Sequence, residues 1–301
     1  KNIFSKFFIK IFKFFGFEII DQSNFAAPVS NKSLNESLSV PGKRSITLPL
    51  GEVKITRKVK SFDVILRTCM TVNMLTQSKK RIFEKEKEEY TKRTLVSIIK
   101  SINHAKIKFK ETKFKIYVID HNSQNDQINM LKNILNNSQI DFEIKTLDFN
   151  RYSKEIKKIN EENKEVTSNQ KSNMSNIHQS IILSKEKCED LTYFVEDDYL
   201  HKLNAVSEIL FAYEKFSSLI NNELIICPTD YPYLYTGAND TKVFMGENRH
   251  WRKIDQTLCS FVMSKKITNN YYEELISMCK FEHYPFEKPL HNIYKKELCI
   301  S

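Results

Sequence analysis

Apolar and polar positions alternate in blocks along most of the chain, and the blocks predict strands and helices in turn. The short apolar runs Phe62–Leu66, Lys115–Ile119 and Phe142–Leu147 predict buried strands. Between them, apolar side chains recur at helical spacing in Arg93–Ala105 and Asp126–Leu135. Strands separated by helices of this length are typical of a parallel sheet with right-handed crossovers. The pattern therefore predicts an α/β fold.

The same pattern continues towards the end of the sequence. It predicts a helix at Ser175–Ser184, which leads to a strand buried on both faces at Thr192–Val195. Further predicted elements are helices and strands at His201–Phe216, Leu224–Cys227, Leu258–Met263 and Asn270–Cys279. Residues 150–172 are polar and charged with few apolar anchors, which predicts a mobile surface loop.

The first twenty residues combine aromatic and basic side chains at helical spacing. Lys6, Lys10 and Lys13 share one face, and apolar side chains cover most of the rest. No apolar run approaches the ~20 residues that span a bilayer, and no signal-peptide cleavage site follows. We expect a basic amphipathic helix lying on an anionic membrane, so that the protein is cytoplasmic and peripheral on the inner face of the cell membrane. The alternative is a helix docked on the protein's own core.

The segment after this helix differs in composition. Residues 21–45 are rich in Ser, Asn and Pro, which predicts a flexible tether, and the runs Ile46–Leu50 and Val53–Thr56 are compatible with a short hairpin. The predicted organisation is an amphipathic helix at 1–20, a linker at 21–60 and one α/β domain at 61–301.

Composition narrows the classes of function. The chain of 301 residues contains 5 Gly and neither a G-x-G-x-x-G nor a P-loop motif, so side chains and strand ends must hold any nucleotide. The net charge of +10 comes from dispersed Lys without an RNA-binding signature, which favours an anionic membrane or substrate over nucleic acid. The 6 Cys show no C-x-x-C pair and predict reduced thiols of a cytoplasmic protein.

Three of the predicted strands end on polar clusters. The clusters are Arg67-Thr68, Asp120 with Asn122 and Ser123, and Glu196-Asp197-Asp198. Ligands of open parallel sheets bind at the carboxyl ends of strands, so the clusters are expected to converge on one crevice. Three adjacent carboxylates repel one another unless a cation neutralises them, and their hard oxygen atoms suit Mg²⁺ or Mn²⁺. The alternative is an acidic turn in which Asp198 caps the following helix.

Two stretches carry a resemblance to a known family. The run FKIYVIDHNSQND, from Phe114 to Asp126, resembles the second strand and following turn of family 2 glycosyltransferases of the GT-A fold. The strand ending at Arg67 and the helix containing TLVSIIKSI match the first βα unit of that fold. The run SNIHQSIILSKEKCEDLTYFVEDD, which ends at Asp198, resembles the helix and strand leading to its D-x-D metal motif. The resemblance covers roughly residues 62–265 and implies a Rossmann-like nucleotide-diphospho-sugar transferase domain with a mostly parallel sheet.

The resemblance also implies roles for individual residues. Asp120 would hold the base or ribose of a UDP- or GDP-linked sugar, and Asp198, assisted by Glu196, would hold a Mn²⁺ or Mg²⁺ ion bound to the diphosphate. We expect further contacts to the nucleotide-sugar from Arg67, Thr68, Asn122, Ser123 and Asp197. His250 could complete the metal or diphosphate shell, although a lone His is more often structural.

Residues 228–257 hold the candidates for the remaining chemistry. An inverting transfer needs a carboxylate that takes the proton of the acceptor hydroxyl, and Asp255 is favoured over Asp230 for this role. Trp251, Arg252 and Tyr233 are expected to contact the acceptor, because aromatic rings stack on sugars and Arg pairs with phosphate. A surface loop pinned by aromatic packing is the alternative for each of them.

Taken together, these patterns predict a metal-dependent glycosyltransferase of the hexosyltransferase type. It would move a sugar from a nucleotide-sugar to a cell-surface glycan or lipid-linked acceptor, such as lipopolysaccharide, O-antigen or capsule. The alternatives are a catalytically degenerate module that acts as a membrane-associated scaffold, and a nucleotidyltransferase, although no Gly-rich or Lys-bearing signature follows the first strand.

Overall fold

The computed structural model describes residues 3–17, 54–71, 86–159, 163–229, 242–257 and 260–301. Its strands are β1 Ser61–Thr68, β2 Lys113–Asp120, β3 Asp141–Thr146, β4 Leu191–Glu196, β5 Ile225–Ile226, β6 Val243–Met245, β7 His250–Arg252, β8 Phe261–Ser264 and β9 Cys299–Ile300. Its helices are α1 Ile3–Phe14, α2 Lys87–Lys108, α3 Asn125–Asn136, α4 Phe149–Tyr152, α5 Ser168–Lys187, α6 Ala205–Ile220, α7 Lys265–Asn270, α8 Tyr272–Cys279 and α9 Lys288–Lys296.

Seven strands form the central sheet in the order β3-β2-β1-β4-β8-β5-β9, and β6 pairs with β7 in a separate hairpin. All neighbours in the sheet are parallel except β8, which runs antiparallel to β4 and β5. The chain starts in the middle with β1, adds β2 and β3 on one side, and then crosses to β4 on the other side. Such a reversal of strand order opens a crevice between β1 and β4, which is where open α/β sheets bind ligands.

Helices cover both faces of this sheet. In β1, Phe62, Val64 and Leu66 face a core shared with α2, α3 and α6, whereas Ile65 faces a second core shared with α5, α8 and α9. Alternate residues of a strand point to opposite faces, and the strand is buried throughout, with Asp63 and Arg67 on the same face as Ile65. The predicted α/β fold with a mostly parallel central sheet is confirmed.

The prediction of a mobile loop at 150–172 is wrong for most of that segment. Helix α4 and a 3-10 turn occupy 149–155, and the sparse apolar side chains Tyr152, Ile156 and Val166 are each buried. Helix α5 then begins at Ser168, where the side chain of Thr167 accepts a hydrogen bond from the Gln170 amide in a capping box. A few well-placed apolar residues therefore anchor a segment that is polar on average.

Smaller differences concern the ends of elements. The predicted late helix at Asn270–Cys279 corresponds to α8, a separate helix, α7, precedes it, and the helix expected from His201 begins at Ala205. The strand expected at Leu258–Met263 begins at Phe261, and residues 258–259 are outside the described part. The predicted hairpin at 46–56 also lies largely outside it, and residues 54–60 form no regular element.

Candidate functional site

The side chains of Arg67 and Glu196 meet at the crevice between β1 and β4. The two residues are register partners, and Arg67 Nη2 lies 2.9 Å from Glu196 Oε1. Arg67 Nη1 also donates to Asn173 Oδ1 of α5 at 3.2 Å. Burial raises the pKa of Glu196, the Arg67 charge opposes this rise, and the neighbouring Asp198 and Asp197 charges add to it. At this crevice, the guanidinium of Arg67 is therefore held in place beside the carboxylate of Glu196, whose ionisation is unfavourable.

Asp120 organises the end of β2. Its Oδ1 accepts hydrogen bonds from Thr68 Oγ1 at 2.7 Å and from Ser123 Oγ at 2.6 Å, and its Oδ2 accepts the Ser123 amide at 3.1 Å. Asn122 takes up the left-handed conformation in this turn, with φ of 67°, which Asn tolerates better than most residues. Because Oδ2 accepts one bond and a carboxylate oxygen has two lone pairs, Asp120 keeps acceptor capacity for a ligand N–H or O–H.

The acidic run at the end of β4 divides into two environments. Asp197 is 5% exposed, its Oδ1 lies 2.5 Å from Lys87 Nζ, and its Oδ2 accepts from Thr91 Oγ1 at 2.7 Å. Burial raises the pKa of Asp197, and the Lys87 charge opposes this rise. Asp197 thus ties the start of α2 to the end of β4, whereas the next residue, Asp198, is exposed to solvent.

The carboxylates at the end of β4 suit a divalent cation that takes most of its other ligands from phosphate groups and water. No group of three or more His, Cys, Asp or Glu side chains is assembled as a cage within the part of the chain that is described. Asp198 offers exposed carboxylate oxygen atoms, and its charge acts on Glu196. Hard oxygen donors fit Mg²⁺ or Mn²⁺, and Mg²⁺ commonly takes one or two carboxylates with phosphate oxygens and water. The residues present fit such an ion, and the role of Asp198 as its main protein ligand stays a prediction.

A buried carboxylate on α6 fixes the β6–β7 hairpin. Glu208, 4% exposed, accepts the amides of Glu247 at 3.0 Å and Asn248 at 2.8 Å and the indole N–H of Trp251 at 3.1 Å. A Cβ on Gly246 would lie 2.1 Å from Glu208 Oε1, so this close approach needs glycine. Trp251 is 6% exposed with its N–H already engaged, and its contact to an acceptor stays a prediction.

This hairpin forms one wall of a cavity of about 610 Å³ at the carboxyl edge of the sheet. Tyr199 and Leu200, which follow Asp198 in the chain, also line it together with the start of α6. His250 and Arg252, two of the predicted residues, also line it. The volume is in the range of small-molecule binding sites.

Some predicted residues are not brought to the crevice. The amide of Arg252 donates to Ser301 O, and the amide of Ile254 donates to Cys299 O, so the chain runs away from the carboxyl edge as it approaches Asp255. Asp255 is exposed there, with β8, β5 and β9 between it and β4, and its role as base stays a prediction. Asp230 and Tyr233 lie outside the described residues.

The sequence analysis missed three residues that shape this region. Asn173 and Lys87 lie in polar and charged stretches, where nothing in the sequence marks one residue over its neighbours. Glu208 did carry a signal, because it lies among the apolar residues of α6 on the face that packs inward. An acidic side chain on an apolar helix face needs a buried partner, and that partner is the hairpin.

Comparison with known proteins gives weak similarities. No protein-family model matches the sequence, and no curated protein matches it. Among solved structures, residues 1–349 of S. aureus TarS match 70% of this chain with 12% identity and a TM-score of 0.38, and 48% of that chain is covered. A second structure of S. aureus TarS matches 73% of this chain with 12% identity and a TM-score of 0.39, and 32% of it is covered. The chain thus spans less than half of the length of either structure.

Proposed function

We propose that this protein is a glycosyltransferase that takes a sugar from a nucleotide-diphosphate sugar with the help of Mn²⁺ or Mg²⁺. The observation that carries the proposal is the meeting of three polar strand ends at the β1–β4 crevice. Arg67, Asp120 and Asp198 come from three different strands or strand ends, and each offers a group that one part of such a donor needs.

Each of these three residues contacts a different part of the donor or its metal ion. Asp120 accepts hydrogen bonds from the base or ribose, since Oδ2 retains a lone pair after binding the Ser123 amide. Arg67 is held rigidly by Glu196 and Asn173, and its positive charge lies at the crevice floor, where it favours a diphosphate. Asp198 holds the cation, which supplies charge stabilisation to the leaving diphosphate. Asp197 supports this arrangement from behind through Lys87.

The proposal extends to the acceptor and the membrane. The acceptor is a cell-surface glycan or a lipid-linked precursor of one, and helix α1 holds the enzyme at the anionic inner surface where such lipids lie. In support, α1 exposes large aromatic side chains, among them Phe8 at 53% and Phe14 at 86%, alongside exposed Lys10 and Lys13. Among the described helices, none is long and apolar enough to cross a bilayer.

A panel of UDP- and GDP-sugars with Mn²⁺ tests the proposal. We expect at least one donor to raise the melting temperature and to release its nucleoside diphosphate, and Asp198→Asn to abolish the metal-dependent part of both effects. Lys132→Gln, which removes an exposed charge on α3, is the matched control and leaves both unchanged. If no donor binds or turns over while the protein still sediments with anionic vesicles, the scaffold alternative replaces the enzyme.

A further inference from the structure

The cavity beside the crevice is lined by more positive than negative charge. Lys202, Arg249 and Arg252 are among its lining residues, together with His250 of β7. Lys202 and Arg249 are both exposed, and neither side chain forms an ion pair with any other described residue. These two cationic side chains therefore remain free to meet an anion that enters the cavity.

The acidic side chain of the lining does not cancel these charges through direct contact. Glu208 is the one Asp or Glu among the lining residues in the described part of the chain. Its carboxylate accepts N–H groups from Glu247, Asn248 and Trp251, so it is committed to holding the hairpin. Because it is 4% exposed and already bonded, a bound anion meets the lysine and arginine side chains rather than this carboxylate.

The start of α6 adds to the positive electrostatic potential of the cavity. Asn204 and Ala205 line the cavity at the amino end of a 16-residue helix. The Asn204 side chain makes no capping hydrogen bond, but the Val206 amide donates to Ser101 Oγ at 2.8 Å and the Ala205 amide to Lys202 O at 3.0 Å, so the helix contributes through its dipole and not through unbonded amides. The positive end of a helix dipole favours anions, which here reinforces the lysine and arginine side chains.

We infer that this cavity binds the phosphate group of a phosphorylated sugar or polyol. Lys202 and Arg249 together match the charge of a phosphomonoester, which approaches −2 at neutral pH, better than that of a single carboxylate. The Arg249 guanidinium suits phosphate oxygens, and the ring of Tyr199 and the side chain of Leu200 offer an apolar wall to a sugar ring. Binding of the phosphate group does not depend on the proposed function. The role of the cavity as the acceptor subsite of the sugar transfer does rest on it.

Isothermal titration with glucose 6-phosphate, glucose and inorganic phosphate tests the inference. We expect the full chain to bind glucose 6-phosphate at least about tenfold more tightly than either of the other two, with affinity falling as salt is added. The double variant Lys202→Gln/Arg249→Gln should weaken glucose 6-phosphate binding roughly tenfold, because both substituted charges are exposed and supply only part of the attraction. Lys132→Gln, on α3, is the control of equal charge change per site and leaves the affinity unchanged.

Several outcomes would overturn the inference. They are equal affinity for glucose 6-phosphate and glucose, equal affinity for inorganic phosphate, and unchanged affinity in the double variant. Displacement of glucose 6-phosphate by phosphatidylglycerol vesicles would identify the cavity as a headgroup site instead. Thermal shift with UDP and Mn²⁺ separates this inference from the proposed function. If UDP fails to bind while glucose 6-phosphate binds, the donor proposal fails alone, and the reverse result removes only the cavity assignment.

Discussion

Arg67 and Glu196 lie opposite each other on the neighbouring parallel strands β1 and β4, and their side chains pair at 2.9 Å across the crevice between these strands. The Arg67 side chain is 5% exposed and that of Glu196 is 32% exposed, so the pair is screened from water mainly on the arginine side. This pair fixes a positive charge at the floor of the crevice, and the charge would be lost or mobile if either partner were removed.

The first prediction concerns this pair. Arg67→Gln leaves Glu196 without its counter-charge next to Asp197 and Asp198, so we expect a loss of about 1–2 kcal/mol in the free energy of unfolding, a figure reduced because Glu196 is partly exposed. The double variant Arg67→Gln/Glu196→Gln should lose less than the sum of the two single changes. Urea unfolding of the four proteins measures the coupling, and strict additivity would show that the pair contributes nothing.

Asp197 and Asp198 are neighbours in sequence but should behave in opposite ways. Asp197→Asn removes the charge that Lys87 faces and should destabilise the fold by about 2–3 kcal/mol, because a buried pair loses one partner. Asp198→Asn should leave stability unchanged and abolish the response to Mn²⁺, since Asp198 is exposed. Urea unfolding with and without Mn²⁺ checks both. A stable Asp197→Asn protein with lost metal response would reverse the assignment.

The sequence predicted those site residues that lie at strand ends, but not those whose role depends on a distant partner. The strand ends at Arg67, Asp120 and Glu196 follow from apolar runs that stop on polar residues, and the topology brings them together as expected. The division of labour between Asp197 and Asp198 could not be predicted, because it depends on Lys87, which lies 110 positions earlier in a uniformly charged stretch. Long-range pairing of this kind leaves no periodic signal.

The turn of the chain near Asp255 shows a second limit. The sequence places Asp255 just before a predicted strand, within the segment that holds the candidates for the catalytic base. The hydrogen bonds of Arg252 and Ile254 to the chain at β9 direct this segment the other way, and β9 follows it by more than forty residues. Pairing of distant short strands is set by tertiary packing rather than by local propensity.

Glu208 should be essential for the conformation of the β6–β7 hairpin. Glu208→Ala leaves three N–H groups of the hairpin without their acceptor, and we expect a loss of about 2–4 kcal/mol with a red shift in fluorescence. Trp251 is the single Trp of the chain, so its emission reports directly on the hairpin. Gly246→Ala should give the same shift, because its Cβ would overlap Glu208. An unchanged spectrum in both variants would contradict the contact.

Asp63 should make stability depend on pH. It is 6% exposed within β1, and burial raises its pKa from the ordinary 3.8 to about 6. The folded state therefore holds this proton more tightly than the unfolded state, so stability falls as pH rises from about 4 to 6 and the carboxylate ionises. Asp63→Asn avoids that cost, and its advantage should grow over this window to about 2–3 kcal/mol. Urea unfolding from pH 4 to 8 measures it, and a constant difference would refute the assignment.

Helix α1 should bind anionic membranes without contributing to the fold of the α/β domain. Its exposed Phe side chains can enter the acyl boundary while Lys10 and Lys13 remain among the headgroups, so deletion of residues 1–17 should abolish sedimentation with phosphatidylglycerol vesicles. Lys10→Gln/Lys13→Gln should weaken binding to anionic vesicles about thirtyfold, at ~1 kcal/mol for each of the two charges, and leave the weak binding to phosphatidylcholine vesicles unchanged. The melting temperature of the truncated protein should equal that of the full chain. A lower one would show that α1 packs on the domain instead, since a helix that stabilises the core cannot also present its apolar face to lipid.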